Sequence, residues 1–518
     1  MLHDDVQPEA MTWLIFGFLP IFISQAINIM AAPFGVFKWL RTNVLAWMYL
    51  FNGPRIIQIG YNEADGNPYE VFAPDSRYVF VTSRTHIKEL DSAPDTVLSL
   101  QAASKQMLQP MYTMHGFNWF DRRGTEGVGF VRALRTLLTK NLPQILPNLS
   151  TIVRCRFEEL HAEHIIINGN RHSPVYPVIV KLVVLSNAVS FFGKDLAKND
   201  QFLVSALAYI EETLMCAEIV RLLPKAAAPY IGRLIARYNT SHEVIYSTLL
   251  PMAEQRCQER DLAMPGHKVL EHADCIQWIM ETAPRQKPWT PTRVVHELMA
   301  IWFGSVHALS TTITFAIPDL CIHPEYAEHL RNEANQGYAQ FERTGVGLPL
   351  LDSFIKESAR LTPVESMSTR RFALKPFSFS DGTKLAVGNW ACTPVRAIMQ
   401  SPAHFPEPLT FSGFRFASLE TLKGTGMEKS SYVSQSLPSK LVDVDESWHV
   451  WGTGRMACPG RYYATAIMKV IVAQIIMEFD CQLVDPGASR WFTWRSSMLP
   501  RKNTMVVFTA RSAEPQSH

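Results

Sequence analysis

Hydrophobic residues fall along this chain in distinct textures, and each texture predicts an element. Met11 to Phe37 contains no charged residue and holds Trp13, Leu14, Ile15, Phe16, Phe18, Leu19, Ile21, Phe22 and Ile23. About 20 apolar residues in a helix span a bilayer core of roughly 30 Å, so this stretch is long enough to cross one. Asp4, Asp5 and Glu9 precede it, where a cleaved signal peptide needs a basic start, and Lys38 and Arg41 follow. That charge asymmetry predicts a short lumenal leader (1–10), one transmembrane anchor (11–37) and a cytosolic body. Trp39 to Leu50 prolongs the apolar texture into a linker, 38–52, read as a helix or a segment at the membrane surface.

From Gly53 the pattern changes. Ile56–Ile59 and Arg77–Val81 read as short strands on either side of the turn-rich Asp65-Gly66-Asn67-Pro68. Apolar spacings of three and four predict helices through 128–142, about 180–215 and about 230–260. Thr290-Pro291 supplies an N-cap and a proline in the first turn. The helix it opens runs to Pro318, about 27 residues or roughly 40 Å. His323-Pro324-Glu325 starts the next, ending near Ala334, and Leu350–Leu361 forms another. Asp381-Gly382 between Phe377–Ser380 and Thr383–Val387 predicts a hairpin. Phe411–Phe416 follows a proline-rich bend, an irregular polar stretch covers 417–446, and a final helix runs from Tyr462 to Phe479. The sum is a mainly α chain with small β-sheets: one large body over 53–512, then a tail, 513–518.

Composition narrows the field. With 518 residues and 47% hydrophobic content the chain can bury a large core. A net charge of +2 makes no electrostatic case for nucleic acid. The eight cysteines are scattered, with no CxxC pair and no zinc-like spacing, which suits a reducing compartment. Asn148-Leu149-Ser150 and Asn239-Thr240-Ser241 are glycosylation sequons that matter only on a lumenal face, and both are expected to go unused.

The stretch with the strongest chemical signature is Trp451-Gly452-Thr453-Gly454-Arg455-Met456-Ala457-Cys458-Pro459-Gly460-Arg461. Gly452 and Gly454 permit a tight turn and close approach to a flat ligand. Cys458 stands at the start of a helix, where N–H groups and the dipole favour a thiolate. A thiolate on an open loop suits a haem iron, although a lone cysteine before a helix is more often a buried structural thiol. Glu357 and Arg360, at i and i+3, share a helix face, but on a surface such a pair contributes only about 0.2–0.5 kcal/mol. His307 in mid-helix reads first as a core histidine. Gly304 costs about 1 kcal/mol there relative to alanine, which marks a place where a ligand needs room.

In this order the pieces resemble a cytochrome P450 of the fungal microsomal, reductase-dependent (class II) type. The resemblance covers nearly the whole chain and implies the P450 fold behind one N-terminal transmembrane helix. The loop is similar to the family's aromatic-Gly-x-Gly-x-x-x-Cys-x-Gly signature. It implies Cys458 as the metal ligand of haem b (iron protoporphyrin IX), with Trp451, Gly452, Gly454 and Gly460 around the cofactor. Glu357, Arg360 and Arg415 resemble the family's buried ion network. Arg135, Arg371 and Arg455 are the implied propionate partners, with Arg370 a near-equal candidate to Arg371. Met456 stands where the family usually has Arg or His. Family spacing puts the oxygen-activating segment at Gly304-Ser305-Val306-His307-Ala308-Leu309, with His307 as the acid and Ala308 in the place of the usual threonine. Alanine has no hydroxyl to deliver a proton; Ser305, Thr311 or Thr312 are within helical reach of its face. A shifted register on Ser310-Thr311-Thr312 fits the helix but breaks the spacing.

The resemblance implies a monooxygenase that inserts one atom of dioxygen into a lipophilic substrate, such as a fungal terpenoid, polyketide or meroterpenoid. Electrons come from NADPH through NADPH–cytochrome P450 reductase, with cytochrome b5 as a second donor. The implied site of action is the cytosolic face of the endoplasmic reticulum membrane. Two rivals stand beside it: a haem-thiolate isomerase, dehydratase or peroxide-driven enzyme, and a catalytically silent haem-binding membrane protein.

Overall fold

The computed structural model describes residues 33–119, 129–167, 170–263, 272–283, 288–428, 432–435 and 437–511. The expected leader, the tail and residues 11–32 of the expected anchor lie outside them. Pro33–Ala64 is the first described helix, with a break at Asn52 (φ −130°, ψ 22°). The region expected as a linker is therefore helical, and the strand expected at Ile56–Ile59 is helix as well. Asn52-Gly53-Pro54 restarts the helix, since proline is pre-set for a first turn. Gly53 lets the backbone pass: a Cβ there would lie 1.7 Å from the Arg495 carbonyl oxygen. Ile57 then packs among Tyr49, Tyr78, Phe80 and Trp390, so the apolar run covers a sheet as a helix face instead of joining it.

That sheet has five strands, in the order Tyr69–Phe72, Arg77–Phe80, Trp390–Thr393, Ser368–Ala373 and Leu98–Ser99. A four-stranded sheet pairs Phe479–Leu483, Met505–Ala510, Asn170–Pro174 and Ile166–Ile167. The predicted hairpin is present as Phe377–Ser378 against Lys384–Leu385. A second hairpin pairs Trp491–Trp494 with Ser497–Pro500, and most of the remaining regular structure is helical, so the mainly α reading with small sheets holds.

Everything is built round the helix Pro291–Ile322, hereafter the central helix. Thr290 caps it, its hydroxyl accepting from the Arg293 N–H at 3.3 Å. The helix continues one turn past Pro318, its expected end. Every residue from Leu309 to Leu320 is buried, so packing on all sides outweighs the backbone bond that the proline forfeits. Val175–Phe192, Ser241–Ala263, Pro349–Leu361 and Arg461–Glu478 pack against it. Val175–Phe192 and Pro291–Ile322 are each apolar and long enough to cross a membrane, yet most of each is buried inside the protein. In mid-helix, Gly304 and Ala308 stand exposed while Trp302, Val306 and Leu309 are buried. An exposed stripe at the centre of a core helix requires a cavity.

Outside the cavity lining, one ion network ties three regions together. The Arg495 guanidinium contacts Asp75 at 2.7 Å and Glu218 at 2.7 Å, and Arg221 contacts Asp75 at 2.8 Å. Burial alone would raise the Asp75 carboxyl, but Arg221 and Arg495 overcome it and hold it at about 2. The stabilisation is fully present above the unfolded carboxylate value of about 3.9 and is lost as pH falls toward 2. Asp75→Asn is expected to cost about 3–5 kcal/mol, because two buried guanidinium groups lose an anion. Denaturant midpoints measured between pH 7 and pH 2 check this: the gap between wild type and variant should close below pH 4.

Candidate active site

The cysteine loop folds by its own backbone. Gly452 and Gly454 adopt φ of +79° and +55°, and the Cys458 N–H returns to the Trp451 carbonyl at 2.7 Å. Gly454 has a packing role: a Cβ there would lie 2.6 Å from Cγ of Asp91. Asp91 in turn accepts from the Thr453 hydroxyl at 2.8 Å and from Arg371 at 3.1 Å, clamping the loop to the helix Arg84–Ser92. The following helix starts at Arg461, so Pro459 lies just before it and Gly460 is its cap. Burial pushes the Cys458 thiol up, while the N–H groups of Gly460 and Arg461 and the guanidinium groups of Arg461 and Arg135 oppose this. The sulfur is enclosed in the protein, but the residue keeps surface open to an internal cavity.

That cavity holds about 450 Å³. Trp451, Gly452, Met456, Cys458 and Gly460 line one side, and Gly304, Ser305, Ala308 and Thr312 bring in the central helix. Leu100, Phe130, Leu134, Phe191, Ile301, Leu309, Val364 and Val395 make much of the remainder apolar. A Cβ at Gly304 would meet nothing within 4 Å, so the missing side chain opens onto free space.

The candidate cations separate into two groups. Arg370 and Arg371, from the strand Ser368–Ala373, both border the cavity. Arg371 is buried and held by Asp91, whereas Arg370 pairs with Glu365 at 2.6 Å. Arg135 and Arg455 are not among the residues that line the cavity. Arg135 lies over the back of the cysteine loop, donating to the carbonyls of Arg455 (3.3 Å) and Ala457 (3.5 Å). Arg455 turns outward to Asp95 at 2.8 Å and the Ala93 carbonyl at 2.9 Å. A carboxylate and a helix end outcompete the cavity for its charge.

On the central helix, Gly304, Ala308 and Thr312, four residues apart, all face the cavity. Ser310 and Thr311 are buried away from it, which favours the register with Ala308 at the centre. The Thr312 hydroxyl donates to the Ala308 carbonyl at 2.9 Å. Ser305 borders the cavity too, but Asn187 donates to its hydroxyl at 3.1 Å and Tyr463 donates to Asn187 at 3.0 Å. His307, expected as the acid, points elsewhere: Nδ1 lies 3.0 Å from the Tyr176 hydroxyl on the neighbouring helix Val175–Phe192. Burial pushes its imidazole below the ordinary value. The helical phase explains the correction, because the residue before Ala308 lies about 100° round the helix from it.

The ion network of Glu357, Arg360 and Arg415 is assembled as expected. Arg360 forks onto Glu357 at 2.7 and 2.9 Å, and Arg415 Nε lies 3.0 Å from the same carboxylate; none of the three is exposed. The remaining guanidinium N–H groups reach the carbonyls of Met399, Pro406 and Thr410. Asp352, on the same helix, accepts the Leu441 N–H at 2.6 Å, and the Leu441 carbonyl accepts the Trp451 indole N–H at 2.6 Å. The Glu–Arg helix thus carries the irregular segment, and the irregular segment carries the cysteine loop. Asp91, Asp352 and Leu441 escaped sequence reasoning. No spacing links them to Cys458, because they reach it only through space.

A family model described as cytochrome P450 matches residues 132–508. The chain is 27% identical over 496 residues to the cytochrome P450 monooxygenase olcJ of Penicillium canescens, covering 93% of this chain and 87% of the relative. It is 29% identical over 343 residues to the ent-kaurene oxidase P450-4 of Gibberella fujikuroi, 65% of each protein. A retinoic acid-bound cyanobacterial CYP120A1 superposes with a TM-score of 0.64 at 17% identity, covering 89% of this chain and 97% of that one. The protein is therefore a haem-dependent oxidoreductase of the monooxygenase class. The chain belongs to the cytochrome P450 family. Its residues fit a flat iron porphyrin: an enclosed thiol with N–H donors at its sulfur, a bare glycine face on the central helix, and two arginines at the edge.

Glu357→Gln is expected to lower stability by about 3–5 kcal/mol, since two buried guanidinium groups lose their shared anion. Trp451→Phe removes one hydrogen bond and should cost only about 0.5–1.5 kcal/mol. Chemical denaturation of both variants checks the ranking.

Proposed function

We propose that this protein is a membrane-anchored haem-thiolate monooxygenase that oxidises a lipophilic small molecule. The observation that carries it is Cys458 sharing one apolar cavity with Gly304, Ala308 and Thr312 of the central helix. Haem held there would supply dioxygen activation and oxygen transfer, and Cys458 would hold its iron through an electron-rich thiolate. The protein's own residues do the rest. Trp451 and Gly452 shape the thiolate side, and the N–H groups of Gly460 and Arg461 favour the anionic sulfur. Arg371 and Arg370 stand at the edge for the propionates, and the apolar walls exclude water and select a greasy substrate.

On the proton side, Ala308 leaves a gap that Thr312 fills one turn along. Its hydroxyl donates to the Ala308 carbonyl and so presents its oxygen as an acceptor on the cavity face, where it can hold a proton-carrying water. His307 supports the helix packing through Tyr176. Fungal relatives, an ent-kaurene oxidase among them, support a terpenoid, polyketide or mixed secondary metabolite as the substrate class. The same kinship supports NADPH–cytochrome P450 reductase as electron donor, with cytochrome b5 as a second donor. The apolar run 11–37 supports a single-pass anchor in the endoplasmic reticulum, with the body facing the cytosol.

The missing hydroxyl at position 308 is what favours a peroxide-driven or isomerising haem-thiolate enzyme. Strict dependence of turnover on NADPH, reductase and dioxygen excludes that reading, and absence of any turnover would leave a silent haem protein. Cys458→Ala is expected to lose the thiolate signature from the carbon monoxide difference spectrum. If Cys458→Ala retains it, the ligand assignment fails. Thr312→Val should lower product formed per NADPH consumed several-fold, while His307→Ala leaves that ratio unchanged. The ratio is measured with product by mass spectrometry and NADPH by absorbance.

A further inference from the structure

A second group of donor atoms lies away from the cysteine cavity. His115 follows the short helix Pro110–Thr113, and His242 and Glu243 open the helix Ser241–Ala263. We propose that these three residues bind a divalent transition-metal ion, with zinc the best match, fastening the two segments together. One ligand atom from each of the three lies within 4.8 Å of the other two.

The geometry of each donor supports this. His115 Nδ1 is 3.0 Å from a Glu243 carboxylate oxygen. Two ligands on a tetrahedral zinc, each about 2.0–2.1 Å from the metal, stand about 3.3 Å apart, so this edge needs only a small adjustment. His242 Nε2 lies 3.2 Å from the Ala236 carbonyl, which can only accept. The ring proton therefore sits on Nε2, and Nδ1 carries a lone pair. That Nδ1 is buried and has no hydrogen-bond partner among the described residues. A ring that donates one N–H to a backbone carbonyl and leaves its other nitrogen bare is the usual setting of a metal-bound histidine.

Orientation is also prepared. The His115 ring stacks on Tyr246 at 3.7 Å between centroids, and its backbone is held at φ +48°, where a residue other than glycine is strained. Two imidazole nitrogens and one carboxylate oxygen form a donor set suited to zinc, nickel or copper and poorly suited to calcium or magnesium. Glu243 is exposed, so the fourth position is open to water. None of the three borders the cysteine cavity. The bound ion would cross-link the Phe117–Trp119 segment, which packs on the central helix through His296, to the start of Ser241–Ala263.

The test uses the full-length, haem-loaded protein without a histidine tag, dialysed against low-micromolar zinc and then analysed for metals. Wild type is expected to hold one zinc per haem iron. His242→Ala and His115→Ala should hold none, and Glu243→Gln less than wild type, each with an unchanged carbon monoxide spectrum to show an intact fold. Zinc should raise the thermal midpoint of wild type and leave that of His242→Ala where it was, and magnesium should do neither. Zinc far below one per iron in wild type overturns the proposal, as does equal zinc in wild type and in either histidine variant. Should one histidine variant fail to fold, the other and Glu243→Gln decide.

Discussion

A carboxylate with no exposure to water has to be surrounded by donors, and much of this structure follows from how Glu357 meets that demand. Two guanidinium groups, one from its own helix and one from Arg415, take up both oxygens. The arginines then have further N–H groups to satisfy, and only backbone carbonyls are at hand. Those carbonyls belong to Met399, at the end of the short helix Val395–Met399, and to Pro406 and Thr410 in the irregular chain that follows. The ion network therefore does more than balance charge. It supplies the hydrogen bonds that irregular chain would otherwise take from water.

Asp352 extends the same logic one turn earlier on the helix. Through Leu441 it reaches the Trp451 indole, and so the cysteine loop rests on a ladder of charge-assisted and backbone bonds. Asp91 holds the loop from the other side, through Thr453 and Arg371, and Gly454 is small because Asp91 fills the space. Held from two sides, Cys458 keeps a fixed place against the cavity. Arg135 and Arg455 add hydrogen bonds to this clamp, and Arg370 and Arg371 border the cavity.

The central helix meets the loop with a face from which side chains have been removed. Gly304 and Ala308 leave room, and Thr312 returns a hydroxyl one turn on. A helix presents such a face only every third or fourth residue. That periodicity is why His307, adjacent to Ala308 in sequence, faces Tyr176 instead of the cavity.

Local pattern alone was enough for several features. Thr290-Pro291 marked where the central helix begins, Asp381-Gly382 the hairpin, and the glycine-framed cysteine with Glu357, Arg360 and Arg415 the family. Each of these depends on residues close in sequence or on a motif whose members keep a fixed order. Other features were settled by contacts between distant segments. Ile56–Ile59 became helix because a sheet needed covering, and the central helix passed Pro318 because its surroundings bury it completely. Arg455 met Asp95, and His115 met His242 and Glu243, for the same reason. A side chain's partner is the best one within reach in space, and spacing along the chain does not encode that choice. From its sequence the protein declared its family, its cysteine and its buried ion network; which face of each helix meets the cavity was decided only when the chain folded.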